Sequence, residues 1–313
     1  MAVFTKLTLK EIKKILNDYN LGNLEKFNGI TEGIENTNYF IKTSKKKLIL
    51  TIFEKRVQKQ DIPFFVTLMD SVSLKGFQCP KPIKNKNNKV IFKIKNKLAI
   101  IVSFLDGKSK KKLTPVNCFN IGRQIAKFHK ITSKLKIKRT NTLNYKAWFK
   151  IYNQTKNNYP KYSSKLKKYL EIYKQNKPKK LSGGIIHADL FPDNIFFKKN
   201  NFSGFIDFYF SCNESYLYEL AVCINALCFD RGKLNKIKIK KLLKGYLSIN
   251  KIKNKELESL NILCLGAAIR FFVTRLYDLK NTPKNAKVNK KDPKEYLNKM
   301  DYFYNNLNKI LYD

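Results

Sequence analysis

The chain has 313 residues, of which 43% are hydrophobic; this excludes a disordered protein and leaves room for two lobes with a buried core. A formal net charge of +41 is typical of nucleic-acid-binding proteins, but the charges are nearly all lysines spread along the whole chain. Readers of bases and phosphates usually draw on the bidentate guanidinium, so the few arginines argue against nucleic-acid binding as the main function; they are Arg56, Arg123, Arg139, Arg231, Arg270 and Arg275.

The cysteines and histidines argue against two further classes of protein. The six cysteines include no C-x-x-C pair and lie mostly in apolar surroundings, which predicts buried free thiols of a reducing compartment. His129 and His187 are the only histidines and are far apart in sequence, so no zinc site is expected. The first residues carry no signal-peptide core, and no apolar run approaches the roughly 20 residues of a membrane span. We therefore expect a cytoplasmic protein that does not bind membranes.

Residues 1–105 predict an N-terminal lobe built on a small antiparallel sheet with one crossing helix. Thr8-Leu9-Lys10-Glu11 is a capping box that begins an amphipathic helix, which ends at Leu21-Gly22. Gly29 and Gly33 then lie between strand-like segments, a pattern that fits an ordinary hairpin or a loop whose N–H groups approach phosphates. Three further strands are predicted at 48–53, 89–97 and 98–105, and a helix at 63–74.

Residues 106–313 predict a mainly helical second lobe, so the fold class is α+β with two lobes. The lysine-rich segment after Asp106-Gly107 marks the change from strands to helices. The first helix, 118–131, is amphipathic, and His129 lies beside its apolar face as a packing residue. Further helices are predicted at 147–152, 166–173, 218–229, 237–247, 257–279 and 296–311.

The helical half is interrupted by the stretch from Ile185 to Phe197, which reads as two short apolar strands around a polar H-x-D-x-x-x-x-N loop. A further strand, predicted over 205–210, carries Asp207. Phosphoryl transfer from ATP needs a carboxylate to accept the proton of the attacking hydroxyl and oxygen-bearing side chains to hold Mg²⁺. Asp189 fits the first role, and Asn194 with Asp207 fits the second. An ordinary Asp-Pro-Asp-Asn turn is the alternative, and His187 is interpreted as a residue that holds the loop.

These residues resemble the aminoglycoside-phosphotransferase and choline-kinase branch of the protein-kinase-like fold, and the chain is most similar to the bacterial homoserine kinases of that branch. The resemblance runs from one end of the chain to the other. It rests on residues 1–5, 33–38, 54–56, 61–65, 79–82, 187–194, 204–210, 270–278 and 292–297.

The resemblance implies that Mg-ATP phosphorylates the small molecule L-homoserine to O-phospho-L-homoserine, an intermediate toward threonine. It implies Asp189 as the base and Asn194 and Asp207 as magnesium ligands. It also implies that the backbone of Ser103, Phe104 and Leu105 meets the adenine. A hairpin over the phosphates is implied too, through Gly29, Gly33, Asn36 and Asn38.

One departure from the kinase pattern concerns the third strand, where relatives place a lysine or arginine and this chain has Thr51. Lys47, Lys55 or Arg56 is the alternative source of that positive charge.

The substrate contacts follow from chemistry alone. A carboxylate calls for a bidentate donor, and Arg270 and Arg275 lie on one apolar helix, where an unpaired charge is costly. Each is therefore a candidate for the homoserine carboxylate or for a structural acid. Tyr209 is a candidate for the pocket wall, with packing as the alternative. Candidates for the ammonium are Asp278, Glu219 and Asp230.

Two alternatives to a homoserine kinase stay open from the sequence. One is another small-molecule kinase, acting on choline, a sugar or an aminoglycoside, although a polycationic antibiotic suits this lysine-rich chain poorly. The other is a non-catalytic protein that keeps the fold, against which the intact Asp189, Asn194 and Asp207 argue. No oligomeric state is predicted.

Overall fold

The chain folds into two compact units. The computed structural model describes residues 3–31, 36–54, 57–281, 292–307 and 309. One unit comprises the described residues up to Gly107 together with Ser203–Tyr209, and the other comprises Lys108–Phe202 with the described residues from Phe210 onward. The segment that carries Asp207 therefore belongs to the same unit as the N-terminal sheet.

The first unit is built on a five-stranded antiparallel sheet with the strand order β1-β2-β3-β5-β4. Its elements are α1 (Leu9–Asn17), β1 (Leu24–Ile30), β2 (Thr37–Thr43), β3 (Lys47–Ile52), α2 (Ile62–Leu74), β4 (Phe92–Ile94) and β5 (Lys97–Ser103).

The two faces of this sheet differ because side chains alternate along each strand. Alternate residues of β2 and β3, among them Ile41 and Leu50, are buried in a core that α1 completes with Ile12 and Leu16. The residues in between point to the opposite face. Asn38 and Thr51 lie there directly across from one another on β2 and β3.

The second unit is mainly helical. Its elements are β6 (Lys108–Ser109), α3 (Pro115–Thr132), α4 (Tyr145–Thr155), α5 (Pro160–Asn176), β7 (Gly183–Ile186), β8 (Ile195–Lys198), β9 (Asn201–Phe205, whose last residues belong to the first unit), β10 (Cys212–Ser215), α6 (Tyr216–Leu227), β11 (Phe229–Asp230), β12 (Lys233–Leu234), α7 (Lys236–Leu247), α8 (Asn254–Leu257), α9 (Leu260–Asn281) and α10 (Lys294–Asn305).

Helix α9 is the core helix of the second unit. Together with α8 it forms a 28-residue segment that is long and apolar enough to cross a membrane, but 83% of its apolar window is buried inside the protein. The expectation that no apolar run reaches that length was therefore wrong. The apolar residues face α4, α5, α6 and α10, which explains their number without a bilayer.

The structure confirms the α+β class, the five-stranded sheet and the capping box at Thr8. It also confirms that all six cysteines are buried free thiols. The strand predicted over 205–210 was wrong beyond its start, because β9 ends at Phe205 and Phe208–Phe210 forms a 3₁₀ turn. The last predicted helix is shorter than expected, since α10 ends at Asn305.

Candidate active site

The H-x-D loop follows β7, and its position is set by the pairing of β7 with β10. The two strands approach closely at Gly183, where an added Cβ would lie 2.7 Å from the carbonyl oxygen of Glu214. Because α6 begins directly after β10, this pairing brings the first turn of α6 back to the loop. That turn carries Glu219.

Glu219 anchors the backbone of the loop. Its carboxylate is fully buried and accepts hydrogen bonds from the N–H groups of His187 and Ala188, the latter at 3.0 Å. His129 lies 3.7 Å from this carboxylate and shares a 2.9 Å hydrogen bond with the Tyr246 hydroxyl. Burial lowers the pKa of His129, which favours the neutral ring. The buried contacts of His129 support its interpretation as a packing residue. The contacts of Glu219 favour a role as anchor of the loop over its candidate role as an ammonium ligand.

The loop itself is compact and locally strained. Ala188 has φ = +65°, a left-handed conformation that is unfavourable for a residue with a Cβ. The side-chain amide of Asn194 donates to the main-chain carbonyl of Asp189 at 2.8 Å and to its carboxylate at 3.1 Å. The Asp189 side chain stays 18% exposed, so its carboxylate is oriented and still reachable.

Arg270 contacts the same loop from α9. Its Nη1 donates to the carbonyl oxygen of Ala188 at 2.6 Å, and its Nη2 lies 4.0 Å from the Asp189 carboxylate. The residue is only 3% exposed. Of the two roles predicted for Arg270, these contacts favour a partner within the protein over the substrate carboxylate.

Asp207 lies just after β9 in a second unusual backbone segment. Gly204 has φ = +152°, and an added Cβ there would lie 2.5 Å from the carbonyl oxygen of Gln78, so a larger residue would not fit. Asp207 itself has φ = +64°. Two non-glycine residues with left-handed backbone, Ala188 and Asp207, thus stand beside or at predicted functional positions, as strained residues often do.

The donor set of the predicted metal site suits Mg²⁺. Asn194 uses its nitrogen on Asp189 and keeps its amide oxygen as an acceptor, and Asp207 carries a carboxylate. Both are hard oxygen donors of the kind that Mg²⁺ prefers, and such sites commonly use one or two protein ligands together with phosphate oxygens. The described residues hold no cluster of three or more His, Cys, Asp or Glu side chains around a common point.

Tyr209 is partly buried and packs edge-on against Phe53 and Phe65, with ring centroids 5.1 and 5.7 Å apart. Burial raises the pKa of its hydroxyl. The packing alternative for Tyr209 is therefore the one that these contacts favour.

The β1–β2 hairpin is described only in part, and the predicted site residue Gly33 lies outside the described residues, as do Lys55 and Arg56. Asn38 accepts a 2.8 Å hydrogen bond from the Thr51 hydroxyl, while Asn36 is buried and accepts the N–H of Glu54 at 3.4 Å. Gly29 faces Val3, whose Cγ2 would lie 2.7 Å from an added Cβ, so this glycine is explained by packing. Thr51 thus fixes the amide of Asn38 at the position where a lysine or arginine was expected.

A buried polar cluster on the other face of the sheet was not predicted. Glu54 forms an ion pair with Lys97 and accepts hydrogen bonds from the hydroxyls of Thr5 and Thr37, each at 2.7 Å. The Thr37 hydroxyl in turn accepts the N–H of Thr5 at 3.1 Å. The cluster therefore fastens the N-terminal segment to the start of β2, immediately after the glycine-rich hairpin.

Backbone hydrogen bonds at the end of β5 reduce the number of predicted residues whose N–H group can contact the adenine. The N–H of Ser103 donates to the main-chain carbonyl of Lys81 at 2.8 Å, and the N–H of Phe104 donates to that of Lys47 at 3.1 Å. Neither N–H is therefore available to a ligand. The N–H of Leu105 has no hydrogen-bond partner in the described part of the chain. Lys47 itself points at the Phe104 ring, with 6.0 Å between its Nζ and the ring centroid.

The remaining substrate candidates lie in the second unit. Arg275 donates to Glu295 at 2.8 Å and to the carbonyl of Asp292 at 2.7 Å, and its guanidinium stacks on the Tyr296 ring at 4.4 Å. Among the described residues, these contacts use only Nη1 of the guanidinium. Asp230 is paired with Lys238, and Asp278 lies near the end of α9.

Comparison with known proteins places this geometry in a family. The model of the phosphotransferase enzyme family matches residues 26–245. A homoserine kinase from Agrobacterium fabrum is 40% identical over 307 residues, which cover 96% of this chain and 95% of that protein. A homoserine kinase from Parvibaculum lavamentivorans is 39% identical over 96% of both chains.

Solved structures show the same fold at low sequence identity. The amicoumacin kinase hAmiN, solved with AMP-PNP and Ca²⁺, matches with a TM-score of 0.70 and 13% identity over 97% of this chain and 95% of that one. An ethanolamine kinase from Plasmodium vivax matches with a TM-score of 0.66 and 15% identity over 97% and 92%.

Proposed function

Because the chain belongs to the phosphotransferase enzyme family and, within it, to the homoserine kinases, we propose that it transfers the γ-phosphoryl group of Mg-ATP to the hydroxyl of L-homoserine. The product is O-phospho-L-homoserine, and the reaction is a step of threonine biosynthesis in the cytoplasm. The observation that carries the chemistry is the pair of hydrogen bonds from Asn194 to Asp189, which orients one reachable carboxylate in a loop anchored by buried charges.

Asp189 is the base of the proposed reaction. Its carboxylate accepts a hydrogen bond from the hydroxyl of homoserine and takes the proton as the oxygen attacks the γ-phosphorus in line. Since little covalent chemistry is required of a kinase, the protein contributes mainly by positioning and by neutralising charge. The fixed backbone at Ala188 serves the first of these requirements.

Asn194 and Asp207 are the residues that would hold Mg²⁺, through an amide oxygen and a carboxylate. The cation supplies neutralisation of the phosphate charges when bound. The nucleotide base meets the N–H of Leu105, the donor left available at the end of β5. The amide nitrogen of Asn38, whose oxygen is held by Thr51, faces the phosphates as a neutral donor.

Arg275 is the residue that receives the substrate carboxylate in this proposal. Its second guanidinium nitrogen remains available beside the contact to Glu295, and its side chain is buried enough for an ion pair to count.

The experiment that tests the function measures ADP release from Mg-ATP with L-homoserine, choline, an aminoglycoside or no acceptor. Turnover with homoserine alone is expected. Turnover with another acceptor and none with homoserine would overturn the substrate while keeping Asp189 as base. A folded protein that binds Mg-ATP and turns over none of them would indicate a different acceptor or a non-catalytic member of the family.

A further inference from the structure

We propose that Arg270 is a positioning residue of the phosphoryl transfer, which holds the Ala188–Asp189 segment in place and acts through Asp189 rather than on the substrate. The inference rests on the proposed function, since it takes Asp189 as the base. Two candidate roles for Arg270 followed from the sequence, recognition of the substrate carboxylate and contact with a group of the protein. The proposal selects the second role.

The contacts of the guanidinium favour the second role. Nη1 is committed to the carbonyl oxygen of Ala188 at 2.6 Å, and Nη2 faces the Asp189 carboxylate at 4.0 Å. A substrate carboxylate would have to reach an open edge of the guanidinium from solvent. With one arm occupied and 3% of the residue exposed, Arg270 has no open edge for such a ligand.

The guanidinium also lies beside two aromatic rings. The guanidinium carbon lies 4.7 Å from the ring centroid of Phe271 and 5.7 Å from that of Phe210. A guanidinium in this position has one orientation, so its contacts to the loop are fixed before any substrate arrives.

Residue 188 is held at both ends of its backbone by opposite charges. Glu219 on α6 accepts its N–H, and Arg270 on α9 donates to its carbonyl oxygen. Ala188 has φ = +65°, a conformation that persists only where the surroundings over-determine it. Because Asp189 is the next residue, these two hydrogen bonds to Ala188 set the direction in which the Asp189 side chain points.

The presence of an arginine in this core is itself informative. Burying a guanidinium is costly, and the Nε of Arg270 is buried without a hydrogen-bond partner among the described residues. An apolar side chain would pack there without that penalty. The charge is therefore explained by what it does to the loop.

The test compares Arg270→Met with Arg270→Lys, Arg275→Met and the exposed Arg123→Met in the full-length protein, with kcat and KM measured separately for homoserine. Arg270→Met is expected to lower kcat about 100-fold, as a small misplacement of a reacting group does, with KM for homoserine within threefold of wild type. Arg270→Lys, which keeps a positive charge for the carbonyl, should recover part of that loss. Arg123→Met should match wild type. Arg275→Met should show the opposite pattern to Arg270→Met, with a raised KM and a kcat close to wild type.

A second readout separates action through Asp189 from a direct contact with the reacting groups. In an Asp189→Asn background, the rate is measured by the transfer of radiolabelled phosphate. Arg270→Met should lower this rate by less than a further threefold, because the effects of residues that act as a unit are not additive. A full additional 100-fold loss would overturn the proposal. A raised KM with unchanged kcat in Arg270→Met would overturn it too, in favour of carboxylate recognition, and so would wild-type kinetics.

Failure of the variant to fold and failure of the proposed function give distinct results. If Arg270→Met does not fold, as judged by its thermal unfolding, Arg270→Lys is used instead. A lowered kcat with an unchanged KM in that variant supports the proposal, and a raised KM with an unchanged kcat overturns it. If wild-type protein does not phosphorylate homoserine, the proposed function fails first. The Arg270 comparison is then made with the acceptor that the wild-type protein does use.

Discussion

The side-chain amide of Asn194 donates to both the backbone carbonyl and the carboxylate of Asp189, at 2.8 and 3.1 Å. One residue five positions along the chain thus fixes the turn of the loop and the direction of its acid. The spacing D-x-x-x-x-N allows this because a single 3₁₀ turn, Pro192–Asn194, returns the chain to Asp189.

Replacing Asn194 should therefore affect the acid and the metal together. Asn194→Ala removes both hydrogen bonds and the amide oxygen, and we expect kcat to fall about 100-fold or more and the Mg²⁺ concentration for half-maximal rate to rise. A magnesium titration of the steady-state rate measures both effects. The exposed Asn201→Ala serves as the control. A normal magnesium dependence in Asn194→Ala would remove this residue from the proposed metal site.

Glu219 should matter for stability as well as for rate. Glu219→Ala removes the carboxylate that accepts the buried N–H groups of His187 and Ala188, and we expect each lost hydrogen bond to lower the free energy of unfolding by about 1–3 kcal/mol. Glu219→Gln keeps one acceptor oxygen and should lose less. Urea denaturation of both, beside the exposed Glu258→Gln, checks the order. Equal stability of the alanine variant and wild type would contradict the anchoring role.

The Thr51 hydroxyl should influence nucleotide binding through Asn38. Thr51→Val is nearly isosteric and removes the hydrogen bond that orients the Asn38 amide, so we expect KM for ATP to rise by a factor that corresponds to about 0.5–1.5 kcal/mol. Thr51→Ser keeps the hydroxyl and should stay closer to wild type. If valine and serine variants share the same KM for ATP, the orientation of Asn38 by Thr51 plays no part in binding the nucleotide.

Glu54 should contribute to stability in a pH-dependent way. Burial alone would raise its pKa, but the hydrogen bonds from Lys97, Thr37 and Thr5 outweigh it, and the pKa of the folded carboxyl is lowered. A carboxyl whose pKa is lower in the folded than in the unfolded state stabilises the fold above the unfolded pKa of about 4.3 and loses this contribution as the pH falls through the folded pKa.

Glu54→Gln is therefore expected to cost about 1–3 kcal/mol at pH 7 and to bring the variant closer to wild type as the pH falls from 5 toward 3. Urea denaturation of the two proteins at a series of pH values measures this. A difference between them that stayed constant over the whole range would show that the carboxylate charge is not what stabilises the cluster.

Local patterns in the sequence predicted much of the fold and the loop. Thr8 and Glu11 predicted the start of α1, and the residues from 63 to 74 predicted α2, because caps and apolar periodicity act over one or two turns. The motif around Asp189 predicted a strand–loop–strand segment for the same reason.

Contacts between distant segments were not predictable in this way. Glu219 was considered as a ligand for the substrate, yet it meets residues 31 and 32 positions earlier, and only the pairing of β7 with β10 brings them together. The cluster of Glu54, Lys97 and Thr5 spans up to 92 residues of sequence. The commitment of the Ser103 and Phe104 N–H groups likewise follows from the strands beside β5.

The most direct test of the account is the turnover of Asp189→Asn with Mg-ATP and L-homoserine, measured beside its affinity for Mg-ATP. Asparagine keeps the size of the side chain and removes the base, so we expect kcat to fall by about 10²–10⁴-fold while Mg-ATP still binds. A variant that folds, binds Mg-ATP and turns over homoserine at a near wild-type rate would contradict the assignment of Asp189 as the catalytic base.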